Sequence, residues 1–267
     1  MELMTFVDIA RPPFLMEPGE KVLFVGSCFA DNIGRRFAEE QFRATVNPYG
    51  VMYNPASILH TVKRCPERGF KTAFFTLGTN HVYVEKATGE IVDNCRKRPQ
   101  SLFRERLLSI DECAHYLSEA IRLLRERNTG IRVVLTVSPI RYAKYGYHGS
   151  KLSKATLLLA ADQLVNQCTD GSVTYFPAYE IVNDELRDYR FYKPDMLHPS
   201  EQTVEYIWQK LSTHYFSERT LAFLEEWRHV KEALNHRPFH PESEEYKLFL
   251  EKTKEKAAEI KKKYGID

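Results

Sequence analysis

Short blocks of unbroken hydrophobicity alternate along this chain with longer stretches in which apolar residues recur every three or four positions. Residues 21–25 (KVLFV) open the pattern as a buried strand ending at Gly26, and residues 30–42 follow with Ile33 and Phe37 on one helical face. A second strand is predicted near residues 43–47 and a modest helix at 56–63. Residues 71–78 (KTAFFTLG) form a third strand, and HVYVEKATGEIVDN then reads as a β-hairpin turning at Ala87-Thr88-Gly89. Ser109-Ile110-Asp111-Glu112 is a capping box that opens a long helix to about Asn128. A fourth strand at 131–140 (IRVVLTVSPI), a helix at about 153–167, a fifth strand in 172–182 (SVTYFPAYEIV) and a helix to about Phe216 complete the alternation. Buried strands interleaved with amphipathic helices predict an α/β fold, with a mainly parallel five-stranded sheet covered on both faces.

The pattern changes after residue 217. SERTLAFLEEWRHVKEAL and SEEYKLFLEKTKEKAAEIKKKYGID are charged and helical, and Tyr246, Phe249, Leu250, Ala257 and Ile260 form a narrow apolar stripe. The division predicted is a domain at 1–217 and a helical C-terminal extension at 218–267, packed on the domain or on a second copy in a homo-oligomer. A chain of 267 residues with 43% hydrophobic content supports one large domain with such an appendage.

Charge and cysteine usage narrow the class. A net charge of +2, without a basic stripe interleaved with aromatics, argues against a nucleic-acid partner. Residues 1–15 carry Glu2 and Asp8 and neither a basic region nor a long apolar one, which argues against a signal peptide, and no segment is long enough to span a bilayer. The five cysteines, 28, 65, 95, 113 and 168, are odd in number, irregular in spacing and free of any CxxC pair. That points to reduced thiols in a cytoplasmic protein, with neither a disulfide framework nor a zinc site.

In an open parallel sheet the binding crevice lies beyond the carboxyl ends of the strands. The first strand ends in Gly26-Ser27, the second in Asn47-Pro48-Tyr49-Gly50 and the third in Gly78-Thr79-Asn80, while Asp195 and His198 follow the last. Together these make an acyl-transfer kit, whose chemistry needs no cofactor or metal. Ser27 alone would read as a helix N-cap, but with an Asp-x-x-His pair downstream it reads as a nucleophile. His198 would take its proton and Asp195 would orient the imidazole. The Ser27 and Gly50 N–H groups and the Asn80 amide would hold the oxyanion. Cys28, the rival nucleophile, is assigned to packing in the helix.

GSCFADNIG resembles the signature of the GSCFA domain family, which belongs with the SGNH (GDSL-like) hydrolases, and NPYGVMYNP and YFPAYEIVNDELRDYRFYKPDMLHPS resemble other segments of it. The likeness spans about residues 6–216. It implies a three-layer flavodoxin-like SGNH fold and a site built from Ser27, Gly50, Asn80, Asp195 and His198. Two departures stand out: Gly26-Ser27 lacks the intervening Asp of Gly-Asp-Ser and is followed by Cys28, and Gly-Thr-Asn-His replaces Gly-x-Asn-Asp in the third block. The activity implied is ester hydrolysis, with a carbohydrate or other small O-acyl ester as substrate. O-acyl transfer, or a non-catalytic binding role for the scaffold, is the alternative.

The remaining polar residues are assigned elsewhere. His148 is read as a solvated loop residue, and His236 and His240 lack matching carboxylates. Arg96, Lys97, Arg98, Arg104 and Arg106 read as a solvated basic loop. Arg187 and Arg190, just before the Asp-x-x-His segment, stay open between structural pairing and substrate contact. Residues 82–106 and 141–152 are expected to set specificity.

Overall fold

The structure, a computed structural model, describes residues 4–95 and 97–266; Glu2 and Arg96 lie outside the described residues. The five-stranded sheet is parallel throughout. It comprises β1 (Lys21–Gly26), β2 (Arg43–Val46), β3 (Thr72–Leu77), β7 (Arg132–Val137) and β8 (Val173–Tyr175), in the order β2-β1-β3-β7-β8. That order is flavodoxin-like, with the reversal of winding between β1 and β3. Register aligns the strand ends: Gly26 sits beside Thr76, and Thr76 beside Thr136.

Alternation of side chains along each strand feeds two cores. Leu23, Val25, Phe75 and Leu135 face one layer of helices, α2 (Pro55–Arg64), α3 (Ile110–Arg127) and α4 (Gly146–Gln167). Phe24, Phe74 and Val134 face the other, where α1 (Cys28–Glu39) and α6 (Glu201–Tyr215) lie. Phe24 stacks on Phe74 at 4.8 Å and Phe37 meets Trp208 edge-on at 5.1 Å, so this second core is largely aromatic. The three-layer α/β expectation holds.

Several boundaries move for local reasons. The fifth strand stops at Tyr175, because Pro177 has no N–H for the ladder, and the chain turns through α5 (Ala178–Glu180) into a π-helical segment, Ile181–Leu186. Helix α4 starts at Gly146 rather than near 153, which places His148 on an exposed helical turn. The hairpin of β4 (His81–Glu85) and β5 (Ile91–Val92) exists, and β6 (Phe103–Leu107) adds to it as the third strand of a small antiparallel sheet. Arg104 and Arg106, read as loop, are therefore strand residues facing β4. Among the described residues no helix is long and apolar enough to cross a membrane.

The C-terminal helices α7 (Glu218–Leu234) and α8 (Glu244–Tyr264) pack on each other through Phe223, Trp227, Val230, Ile260 and Tyr264. Only the distal half of the α8 stripe is buried; Leu248 and Phe249 are exposed. Trp227 ties the hairpin to the domain, its indole N–H donating to the Glu39 carbonyl at 3.2 Å, and Lys231 pairs with the buried Glu40 at 2.5 Å. Trp227→Ala removes this anchor and leaves a cavity. It should lower unfolding free energy by about 3–5 kcal/mol, read as a fall in denaturation midpoint, with ester turnover unchanged; an unaltered midpoint would show that the hairpin is not coupled to the domain.

Candidate active site

At the β1–α1 junction, geometry selects each residue. A Cβ on Gly26 would lie 2.2 Å from the Thr76 carbonyl and 2.4 Å from its hydroxyl, so only glycine lets β1 and β3 close here. The Gly26 N–H donates to Asn47 Oδ1 at 2.9 Å, and Asn47 Nδ2 donates to Asp31 at 2.6 Å. The second-strand loop is thereby stitched to both strand and helix.

Ser27 is spent on the same stitching. It is 0% exposed. Its N–H donates to the carbonyl and hydroxyl of Thr76 (3.1 and 3.0 Å), and its Oγ accepts the Phe29 N–H at 3.2 Å while lying 3.2 Å from Thr76 Oγ1. These are the contacts of a buried N-cap. Ser27, expected as nucleophile and oxyanion donor, is held here as a buried cap whose hydroxyl and N–H both have protein partners.

Cys28, the next residue, is the more exposed of the two. As the first residue of α1 its N–H belongs to the unpaired set at a helix N-terminus, where negative charge is favoured. The thiol is half-buried rather than packed away, and its Sγ lies 3.8 Å from Tyr53 Oη. Burial, then the neighbouring Cys28, pushes the Tyr53 hydroxyl up to about 12. Tyr53 therefore stays protonated and can donate to a charged sulfur or oxygen.

Asp195 and His198 come together as the sequence spacing predicts. Asp195 Oδ1 accepts the N–H groups of Leu197 (2.8 Å) and His198 (3.0 Å), and its Oδ2 lies 2.7 Å from His198 Nδ1. The His198 and Leu197 N–H groups and then the imidazole pull the Asp195 carboxyl down to about 2, so it is ionised at any working pH. An ionised carboxylate at Nδ1 fixes the proton there and leaves Nε2 as the basic nitrogen. The Arg141 N–H, just past β7, donates to the Leu197 carbonyl at 3.0 Å and holds this turn at the carboxyl edge of the sheet. His198 is separated from the start of α6 by Pro199 and the cap Ser200, and Cys28 opens α1; these helices pack on one face of the sheet.

The other two expected donors point elsewhere. Gly50 is exposed and its N–H is bonded to the Asn47 carbonyl at 2.8 Å, closing a turn. Asn80 is buried, its Nδ2 donating to the Leu108 carbonyl at 2.8 Å and its N–H to Ser153 Oγ at 3.0 Å. Both expected donors are thus engaged within the protein. The Cys28 N–H, at the start of α1, and Tyr53 Oη lie at the junction itself.

Sequence reading missed the support beneath this edge. Lys154, on α4, is buried, and its Nζ donates at 2.7 Å to both the Gly78 and Ser138 carbonyls, at the ends of β3 and β7. The Tyr142 ring lies 5.1 Å from that ammonium and 6.1 Å, edge-on, from the Tyr53 ring. A Cβ on Gly78 would fall 2.4 Å from the Tyr142 hydroxyl, which accounts for the glycine. Among the described residues no cluster of three or more His, Cys, Asp or Glu side chains could hold a metal ion.

No curated protein matches the chain. Among solved structures, a Streptococcus pneumonia protein described as a platelet activating factor is 13% identical, covering 75% of this chain and 85% of its own, with a TM-score of 0.50. A GDSL-like lipase from Bacteroides thetaiotaomicron is 14% identical over 77% of this chain and 90% of its own, with a TM-score of 0.46. An acetyl-xylooligosaccharide esterase from Geobacillus Stearmophilus is 11% identical over 76% and 96%, with a TM-score of 0.48. At such identities a likeness speaks for fold alone. The family models are more specific: that of the GSCFA family matches residues 21–73 and 67–211, and that of the GSCFA domain protein, C-terminal domain, matches 227–267. The chain belongs to the GSCFA family.

Proposed function

We propose that this protein is an SGNH-type acyl hydrolase in which a thiol, Cys28, takes the place of the serine nucleophile. The observation that carries the reading is the division of labour at the β1–α1 junction: Ser27 is sealed in hydrogen bonds while Cys28 is half-exposed at the helix N-terminus. Gly26-Ser27-Cys28 then matches the superfamily's Gly-Asp-Ser position by position, with the reactive residue third.

In the first half-reaction His198 Nε2 takes the Cys28 proton and the sulfur attacks the acyl carbon of an ester. The Cys28 N–H and Tyr53 Oη stabilise the oxyanion. Collapse breaks the C–O bond, the leaving alcohol takes the proton from His198, and a thioester remains on Cys28. Water, deprotonated by His198, then releases the carboxylic acid and restores the thiol. An alcohol in place of that water gives O-acyl transfer. A carbohydrate or other small O-acyl ester fits this chemistry.

Mixing with 4-nitrophenyl acetate, acid quench and peptide mass mapping tests the intermediate. Acetyl is expected on Cys28, released by neutral hydroxylamine as a thioester is. Acetyl found on Ser27 instead would overturn the assignment.

A further inference from the structure

Beside the Asp195–His198 turn stands an arginine with no carboxylate partner. Arg141 donates from Nη1 to the Met196 carbonyl at 2.9 Å, while its Nε and Nη2 donate to no protein group among the described residues. Its guanidinium lies 4.2 Å from the Tyr147 ring, 5.5 Å from Tyr192 and 5.7 Å from Tyr189, and Tyr147 and Tyr189 are themselves exposed. Aromatic rings satisfy the faces of a guanidinium and leave its edge for planar, bidentate hydrogen bonding. Arg190 differs, since Asp188 stands 3.8 Å from its Nε.

From these contacts we infer that Arg141 is a specificity residue binding an anionic group, carboxylate or phosphate, on the substrate close to the scissile bond. The inference rests on the acyl-hydrolase reading for its reaction, but not for its binding. Met196, whose carbonyl holds one end of the guanidinium, sits one residue past Asp195 at φ 58°. A group held on the open edge is therefore within a few residues of the general base. Charge-assisted, bidentate bonds of this kind discriminate strongly between an anion and its neutral isostere.

Binding is measured first, by NMR titration of wild type and Arg141→Met with benzoate, phenyl phosphate and the neutral benzyl alcohol. At least one anion should bind wild type at least tenfold more tightly than the alcohol does, and which one binds identifies the anion. Arg141→Met should lose that preference. Equal binding of anion and alcohol, or a preference that survives in the variant, would overturn the inference. Turnover is then compared for an aryl ester with a terminal carboxylate on its acyl chain and its uncharged methyl-ester analogue. The kcat/KM ratio should favour the anionic ester at least tenfold in wild type and collapse toward one in Arg141→Met. Loss of both substrates in equal proportion would mean that Arg141 merely holds the turn. Turnover of neither by wild type would count against the hydrolase reading, while the titration still decides the anion site.

Discussion

Cys28→Ala should abolish turnover of 4-nitrophenyl acetate, by at least about 10³-fold in kcat, because removing a nucleophile leaves only binding and oxyanion stabilisation. Ser27→Ala should behave differently. It removes a helix N-cap, a loss of about 1 kcal/mol in stability, and takes away no group that substrate can reach. Its kcat should stay within about tenfold of wild type, since the reacting sulfur and its base remain. His198→Ala should match Cys28→Ala, and the double variant should be little worse than either alone, because the two act as a unit. Asp195→Asn should cost less than loss of the base if another acceptor can hold the imidazole, since its part is orientation and charge. Steady-state kinetics with a denaturation midpoint for each variant separates these effects. A dead Ser27→Ala beside an active Cys28→Ala, both folded, would return the nucleophile to the serine.

The contrast shows what the sequence carried and what it hid. The strands were legible because unbroken runs such as VLFV and AFFTL are buried on both faces, which leaves little ambiguity. Asp195 and His198 were legible because their contact is local, made within one turn. Ser27 and Cys28 could not be ranked by residue type. At a strand-to-helix turn one residue changes the direction of the side chain, so the cap points back into the first turn while its neighbour faces outward. At Gly50 and Asn80 nothing local reveals that their donors are bonded to Asn47 and Leu108. Strand β6 was masked by its own composition, FRERL, in which alternate arginines resemble a solvated loop. Lys154 was visible in principle: Lys154, Leu157, Ala161 and Leu164 share one buried face of α4, so the lysine stands on the apolar stripe rather than opposite it.

That lysine supports the second large effect, a contribution to stability that rises with alkalinity. Burial, and then the charge of Lys151, pushes the Lys154 ammonium down to about 7. No carboxylate lies within ion-pair distance of it among the described residues; its partners are the Gly78 and Ser138 carbonyls. In the unfolded chain the same group titrates near 10.4. Between roughly pH 7 and pH 10 the unfolded state therefore holds the extra proton at this site, and the contribution of Lys154 to stability rises with pH. The limiting slope for one group is about 1.4 kcal/mol per pH unit. Below about pH 7 both states are protonated and the slope vanishes. Lys154→Met cannot titrate, so urea midpoints of the two proteins should diverge steadily from pH 7 to pH 9.5, wild type gaining and the variant staying flat by comparison. The variant also leaves two buried carbonyls unpaired, each costing about 1–3 kcal/mol, and frees the ends of β3 and β7 beneath Tyr142. Its kcat should consequently fall as well, without loss of the acylated thiol in trapping experiments. Parallel pH–stability curves for the two proteins would mean that Lys154 is not the group that titrates, and that the sheet edge is held by other bonds.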